Sequence, residues 1–247
     1  MSKNMDVSKR KQSIIAGGLI SSAGIFFAKF IGLFYAVPYN SMLGTADNLA
    51  YYGVAFNIYS YLLNICTAGF PFAIATLIAK YSTRGDYQTS LLIKKLSASL
   101  MACFGFGMMI FVILFSSPLA SLVIPDEGKS VETMQMVLIL ISFALFFVPL
   151  LSSVRGFYQG LKHMEVYALS QVLEQVARVA FLLSASAIAV YALHKDNVWA
   201  LYFGVISTSI SAILAIMHLK LYDKKQMKEL KRLAKSQELA GNNDRKE

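Results

Sequence analysis

The chain has 247 residues, 56% of them hydrophobic and 15% charged, with a net charge of +9 at pH 7. Its mean hydropathy is +0.55, and since soluble domains hold about 25% charged residues, a water-soluble globule is excluded. The excess of Lys and Arg would point to nucleic acid in a soluble protein, but here its distribution follows membrane topology, and no nucleic-acid partner is expected.

Six apolar runs follow one another: Ser13 to Pro38, Leu49 to Ala79, Ser97 to Leu122, Met134 to Val154, Val166 to Tyr191 and Trp199 to Leu221. Each is long enough to cross a hydrocarbon core of about 30 Å, which takes roughly 20 helical residues. The fold class expected is therefore all-α, a polytopic membrane protein with six transmembrane helices. The first run is too long for a cleavable signal peptide and no small-residue cleavage site follows it, so it is expected to persist in the mature protein.

Charge in the gaps assigns sides. Nineteen of the 23 Lys and Arg fall into every second gap. They are Lys3, Lys9, Arg10 and Lys11 at the N-terminus; Lys80, Arg84, Lys94 and Lys95; Arg155 and Lys162; and Lys220, Lys224, Lys225, Lys228, Lys231, Arg232, Lys235, Arg245 and Lys246 in the tail. The alternate gaps carry only Lys129 and Lys195, against Asp47, Asp126, Glu127, Glu132 and Asp196. Basic loops stay on the cytoplasmic side, so both termini are expected inside. The chain then divides into a cytoplasmic N-terminus (1–12), a transmembrane lobe (13–221) and a basic tail (222–247). The tail reads as a short surface helix, weakly anchored by Leu221, Leu230 and Leu233, before a polar, disordered end.

Polar groups inside the runs ask for an explanation, because a charge in a bilayer costs several kcal/mol unless paired or hydrated. In the first run Lys29 shares a helical face with Gly18, Ser22, Gly32 and Ala36, a small and polar stripe. It either rests against a carbonyl or snorkels, or faces an anionic ligand in a central cavity. In the second run Asn57, Tyr61, Asn64, Ala68 and Pro71 share a face, and Pro71 should kink the helix. Such a stripe serves helix-to-helix hydrogen bonding or, with Lys29, a cavity for a sugar or pyrophosphate. In the fifth run Gln171, Glu174, Gln175 and Arg178 follow i, i+3, i+4, i+7 spacing, and Glu174 is expected to pair with Arg178. That pair either fixes the helix or acts in gating.

Conventional catalytic signatures are missing. His163, His194 and His218 stand apart without metal-ligand spacing, and no nucleophile elbow, HExxH, Walker A or GxGxxG occurs. Neither an enzyme, a metal site nor a cofactor is expected. Cys66 and Cys103 lie within spans and imply no disulfide framework.

The segment SSVRGFYQGLKHMEVYALSQVLEQVARV, Ser152 to Val179, resembles the fourth-to-fifth-helix region of the MurJ-like and stage V sporulation protein B-like lipid flippases, of the multidrug/oligosaccharidyl-lipid/polysaccharide exporter (MOP) superfamily. The likeness rests on Arg155, Gly156, Gln159 and Gly160, and on Ser170, Gln171, Val172, Glu174, Gln175 and Arg178. KFIG at Lys29 to Gly32 and the segment around Asn57 are similar to the first two helices. Arg155 would meet a helix C-terminus and lipid phosphate, or set topology alone; Gly156 and Gly160 would permit the turn into span five. Two departures stand out: Phe34, Tyr35 and Ala36 lie where a second basic residue is frequent, and Val166, Tyr167 and Ala168 where Pro-Thr-Ala is frequent.

The resemblance implies one lobe of a two-lobe transporter, the tail leading to a second lobe or a second copy supplying it. It implies a flippase for a polyprenyl-pyrophosphate glycolipid in the bacterial plasma membrane, with membrane lipids as further partners. Substrate would meet Lys29, Asn57, Tyr61 and Asn64, while Arg155, Glu174 and Arg178 would gate or brace. Alternatives are a cation-coupled multidrug exporter of the same superfamily and a non-transporting scaffold for cell-wall synthesis.

Overall fold

In a computed structural model of the chain, the described residues are Leu19, 22–124 and 129–243. Lys3, Lys9, Arg10, Lys11, Gly18, Asp126, Glu127, Arg245 and Lys246, and the side chains of Lys129, Lys224 and Lys225, lie outside what is described. Among the described residues all regular structure is helical. The helices are α1 (residues 22–34), then α2 (Ala36–Leu43), α3 (Ala46–Thr67), α4 (Phe70–Thr83), α5 (Tyr87–Leu114), α6 (Ser116–Val123), α7 (Lys129–Gly160), α8 (Met164–Ala187), a π turn (Ile188–Ala192) and α9 (Val198–Asn243). They group into six segments long and apolar enough to cross a membrane: Ser22–Leu43, Ala46–Thr83, Tyr87–Leu114, Val131–Gly160, Met164–Ala192 and Val198–Asp223.

Proline explains why single spans contain two helices. A proline offers no N–H to the carbonyl four residues back, and its ring crowds that carbonyl. Pro38, Pro71 and Pro118 so address Phe34, Thr67 and Leu114, the last residues of α1, α3 and α5. At Tyr35 the backbone stays helical (φ −72°, ψ −20°), a mild offset. At Ala68 and Gly69 it leaves the helical region altogether, Gly69 at φ 75°, so the kink expected at Pro71 is a full break between α3 and α4. The third apolar run likewise ends at Leu114 rather than Leu122, residues 116–123 forming the separate α6. It starts at Tyr87, ten residues before the hydropathy boundary, because Asp86 caps the helix there through Thr89 N–H at 3.0 Å.

Pro149 interrupts nothing, since it lies inside a continuous α7. It withdraws the donor from the Leu145 carbonyl, and Gly105 of α5 fits against that oxygen so closely that a Cβ would lie 2.6 Å from it. Gly156 and Gly160 act in the same way toward α4: a Cβ on Gly156 would come 2.8 Å from Pro71 O, and one on Gly160 2.6 Å from Ala75 O. These two glycines let helices approach rather than make the turn, as small residues four apart do in membranes. The turn itself is carried by Lys162 at φ 64°.

α7 and α9 form the centre. Their most apolar stretches are 50% and 61% buried within the protein, against 6% to 22% for the other four spans. α7 packs against α3, α4, α5, α6 and α9, and α9 against α8. At the end opposite the basic loops, Tyr39 is buried and its hydroxyl donates to the Ala200 carbonyl at 3.1 Å, while Asn197 Nδ2 donates to Met42 O at 2.7 Å. At the basic end Lys94 Nζ lies 2.5 Å from Asp223 Oδ2 and 4.5 Å from the Phe157 ring centroid, and the Tyr158 hydroxyl also donates to Asp223. α9 does not stop there. It continues to Asn243 as one 46-residue helix, about 70 Å long, so the expected separate surface helix is instead an extension of span six. Gln88 Nε2 donates to Ala234 O at 3.2 Å and Tyr87 N–H to Gln237 Oε1 at 3.1 Å, which ties the extension to the start of α5.

Candidate functional site

α1 meets α8 through residues without bulk. Gly24, Ala28 and Gly32 recur every four positions, and a Cβ on Gly24 would sit 3.4 Å from Ala168 Cβ, one on Gly32 3.0 Å from Gln175 Nε2. This spacing brings two backbones close, as small-xxx-small faces do. Lys29, one residue past Ala28, is thereby turned toward the cleft. Beside this seam opens a cavity of about 620 Å³ lined by Ile25, Ala28, Lys29, Gly32, Arg155, Tyr167, Gln171, Glu174, Gln175 and Arg178.

The α8 contribution is a single stripe at positions 167, 171, 174, 175 and 178, which the 3.6-residue period places on one face. Eleven residues separate its ends, about 16 Å of depth into the span. Arg155 reaches the same cavity from α7, across the α7–α8 turn. Its Nε donates to Ser170 Oγ at 2.8 Å, and that fully buried hydroxyl in turn donates to Tyr167 O at 2.8 Å. Its Nη2 lies 2.7 Å from Glu174 Oε2, an ion pair by distance that lacks hydrogen-bond alignment, since Nη2 has no aligned acceptor.

Glu174 thus pairs with Arg155 and not, as its i,i+4 spacing predicts, with Arg178. Arg178 Nη2 instead donates to Gln175 Oε1 at 2.8 Å, and its guanidinium lies 5.7 Å from the centroid of the Tyr35 ring. The long-range ion pair prevails because the short turn between α7 and α8 sets Arg155, near the end of α7, beside the first turns of α8, where Ser170 fixes its Nε. Three cations and one carboxylate therefore line the cavity. Arg155 Nη2, Arg178 Nε and Gln175 Nε2 are buried donors with no aligned acceptor. Buried donors without partners carry a desolvation cost, so such a site is disposed toward an incoming anion with several oxygens.

Beyond the polar cavity the same two helices turn apolar. Phe30, Ile31, Phe34, Tyr35, Val179 and Leu183 line a groove of about 320 Å³. A polar chamber continued by an apolar cleft fits an amphiphile in form.

Lys29, Arg155, Glu174 and Arg178 are brought together by the fold. Asn57, Tyr61 and Asn64 are not among the residues lining this cavity; they are exposed along one face of α3, Tyr61 at 72%. Tyr35, Ser170 and Tyr167 complete the site; the sequence marks Ser170 within the family-like motif and Tyr35 and Tyr167 as departures from the family pattern, but assigns none of them a place in the cavity. For Tyr167 the available signal was a tyrosine on the cavity-facing stripe, four residues from Gln171, and for Ser170 its place in the motif; Tyr35 lies on another face of its helix from Lys29 and carried no such signal.

The family model for "Polysaccharide biosynthesis protein" matches residues 14–239. Lipid II flippase MurJ of Bacillus subtilis (strain 168) is 33% identical over 215 residues, covering 85% of this chain and 39% of the relative. Stage V sporulation protein B of the same organism is 26% identical over 170 residues, covering 69% of this chain and 32% of the relative. Among solved structures, that of MATE in complex with MaL6 superposes with a TM-score of 0.67 at 14% identity, covering 88% of this chain and 46% of that one. At that identity the likeness shows the fold, which is that of MOP-superfamily transporters. The chain spans between about a third and two fifths of the length of the curated relatives it matches. It is a multi-pass membrane protein.

Proposed function

The chain belongs to the polysaccharide biosynthesis protein family, and from that membership and the cavity's chemistry we propose that it forms one lobe of a flippase for a polyprenyl-pyrophosphate glycan in the bacterial plasma membrane. The observation that carries this reading is a cavity lined by three cations, Lys29, Arg155 and Arg178, against a single carboxylate, Glu174. A pyrophosphate cannot enter a low-dielectric span without compensation. Three cations on facing helices supply it, while the apolar groove between α1 and α8 suits the hydrocarbon chain.

Translocation makes and breaks no bonds. Access alternates as this lobe rocks against a second lobe or a second copy, as in other transporters built from repeats. The exposed polar face of α3, with Asn57, Tyr61 and Asn64, lines the passage between the two bodies and meets sugar hydroxyls. The basic gaps lie in the cytoplasm with both termini, so the cavity takes its ligand from the inner leaflet.

The test is outer-leaflet exposure of the lipid-linked glycan in vesicles that hold the complete transporter. Lys29→Ala removes one charge-assisted contact of ~1.5–3 kcal/mol, and exposure should slow by about tenfold or more. Unchanged exposure overturns the cavity assignment. Unchanged exposure together with co-purification of cell-wall enzymes identifies a scaffold instead.

A further inference from the structure

We propose that Glu174 is a built-in stand-in for the ligand's anion: it occupies the Arg155 guanidinium while the cavity is empty, and an incoming diphosphate displaces it. This rests on the reading of the cavity as a diphosphate site and adds how that site is kept stable and how it lets go.

Arg155 is positioned independently of Glu174. Its Nε is held by Ser170 Oγ at 2.8 Å, and Ser170 is fully buried and anchored to its own helix. The guanidinium would therefore stay in place if the carboxylate left. Glu174 is held much less firmly. Among the described residues its one ion pair is with Arg155 Nη2, at 2.7 Å and out of hydrogen-bond alignment. Its side chain is 22% exposed to the cavity, against 11% for that of Arg155. A permanent structural pair in a membrane would be aligned and enclosed on both sides.

A displaced carboxylate also has somewhere to go. Arg178 lies one turn further along α8, at the i+4 position where helical side chains meet, and its Nε is buried without an acceptor. Rotation of the Glu174 side chain from Arg155 toward Arg178 would exchange one cation for another without leaving a charge unpaired. The diphosphate would then find Arg155 Nη2, Lys29 and Gln175 Nε2 as donors around it. In the empty state the carboxylate limits repulsion among three cations; on release it competes for Arg155 and speeds departure. A site that binds its anion too tightly would not turn over.

The experiment measures binding of inorganic pyrophosphate by titration calorimetry to the protein in nanodiscs, with a parallel arm using polyprenyl pyrophosphate in the bilayer. Glu174→Gln is expected to bind pyrophosphate at least about fivefold tighter than the parent, within the usual range of coupling between two competing groups. In an Arg155→Gln background the same change should give no gain. Vesicles carrying Glu174→Gln should flip the lipid more slowly despite the tighter binding. A gain seen only with the lipid arm would mean that the hydrocarbon chain is needed to reach the site, and the competition for Arg155 would still stand.

Parental binding with no gain in Glu174→Gln overturns the proposal and leaves the diphosphate reading intact. A gain that persists without Arg155 also overturns it, because it would then reflect net charge alone. If the parent binds neither pyrophosphate nor the lipid, the reading of the cavity fails and the proposal with it. Should Glu174→Gln not elute as a folded species, Glu174→Asp, which draws the carboxylate back by one methylene, decides the matter. It should bind at least about twofold tighter, and equal or weaker binding overturns the proposal.

Discussion

Tyr39 and Gly204 illustrate how single residues hold spans together where lipid replaces water outside. Apolar surface gains little by leaving lipid for protein, so contact geometry and hydrogen bonds carry the specificity. The Tyr39 hydroxyl donates to Ala200 O at 3.1 Å and lies directly against Gly204, where a Cβ would overlap it. Gly204→Ala is therefore expected to cost about 2 kcal/mol or more through overpacking, seen as lower thermal unfolding in detergent. Tyr39→Phe should cost about 1 kcal/mol for the lost hydrogen bond, and combining it with Gly204→Ala should recover part of the glycine's loss. If the two losses simply add, the contact is not what joins α2 to α9. At the site, Lys29 was legible because a cation on a small-residue stripe stands out against Ile, Leu and Phe at helical spacing. The partner of Glu174 was not. Local spacing pointed to Arg178, while the residue that reaches it is Arg155, 19 positions away and delivered by the α7–α8 hairpin.

Helix ends, at the next scale, obey local chemistry more closely than hydropathy. Pro38, Pro71 and Pro118 each end a helix four residues upstream, and Asp86 starts α5 inside what reads as a polar gap. These signals are present in the sequence, but a hydropathy boundary averages over them. The Asp86 carboxyl is held below its usual range by hydrogen bonds from Thr89, first from its side chain and then from its backbone N–H. A depressed carboxyl contributes stability that is present above its unfolded value, about 3.9, and is lost as pH falls through the lower folded value. Asp86→Ala should thus cost about 1 kcal/mol near neutral pH, and unfolding curves of parent and variant should converge as pH falls through the depressed value of the folded carboxyl. Asp86→Asn, which caps without titrating, should lose this pH dependence. A difference between parent and Asp86→Ala that persists at low pH would assign the effect to something other than the ionised cap. The continuation of α9 to Asn243 is the opposite case: its sequence is mostly polar, its few apolar residues Met227, Leu230 and Ala234 lie on one side against the rest of the protein, and Gln88 and Tyr87, about 150 residues away, tie it down.

For the molecule as a whole the distribution of charge predicts which way it lies in the bilayer. The alternation of basic gaps expects Lys231 in the cytoplasm and Lys195 outside; both side chains are exposed. In a background without Cys66 and Cys103, a membrane-impermeant maleimide applied to intact cells should label Lys195→Cys and spare Lys231→Cys until the cells are opened. The reverse pattern would invert the topology and move the mouth of the cavity to the other leaflet.

Six spans and their order were determined by the sequence itself, because each span partitions into lipid according to its own length and composition, with little reference to its neighbours. The stripes that could be polar were determined in the same way, by helical periodicity. Only the tertiary structure decided which of those stripes meet. It joined the α1 and α8 faces through Gly24, Ala28 and Gly32, left the α3 face of Asn57, Tyr61 and Asn64 exposed, and set Arg155 rather than Arg178 against Glu174. The reason is physical: between helices already in lipid, partners are chosen by close packing and by hydrogen bonds between residues far apart in the chain, and no local pattern encodes those distances.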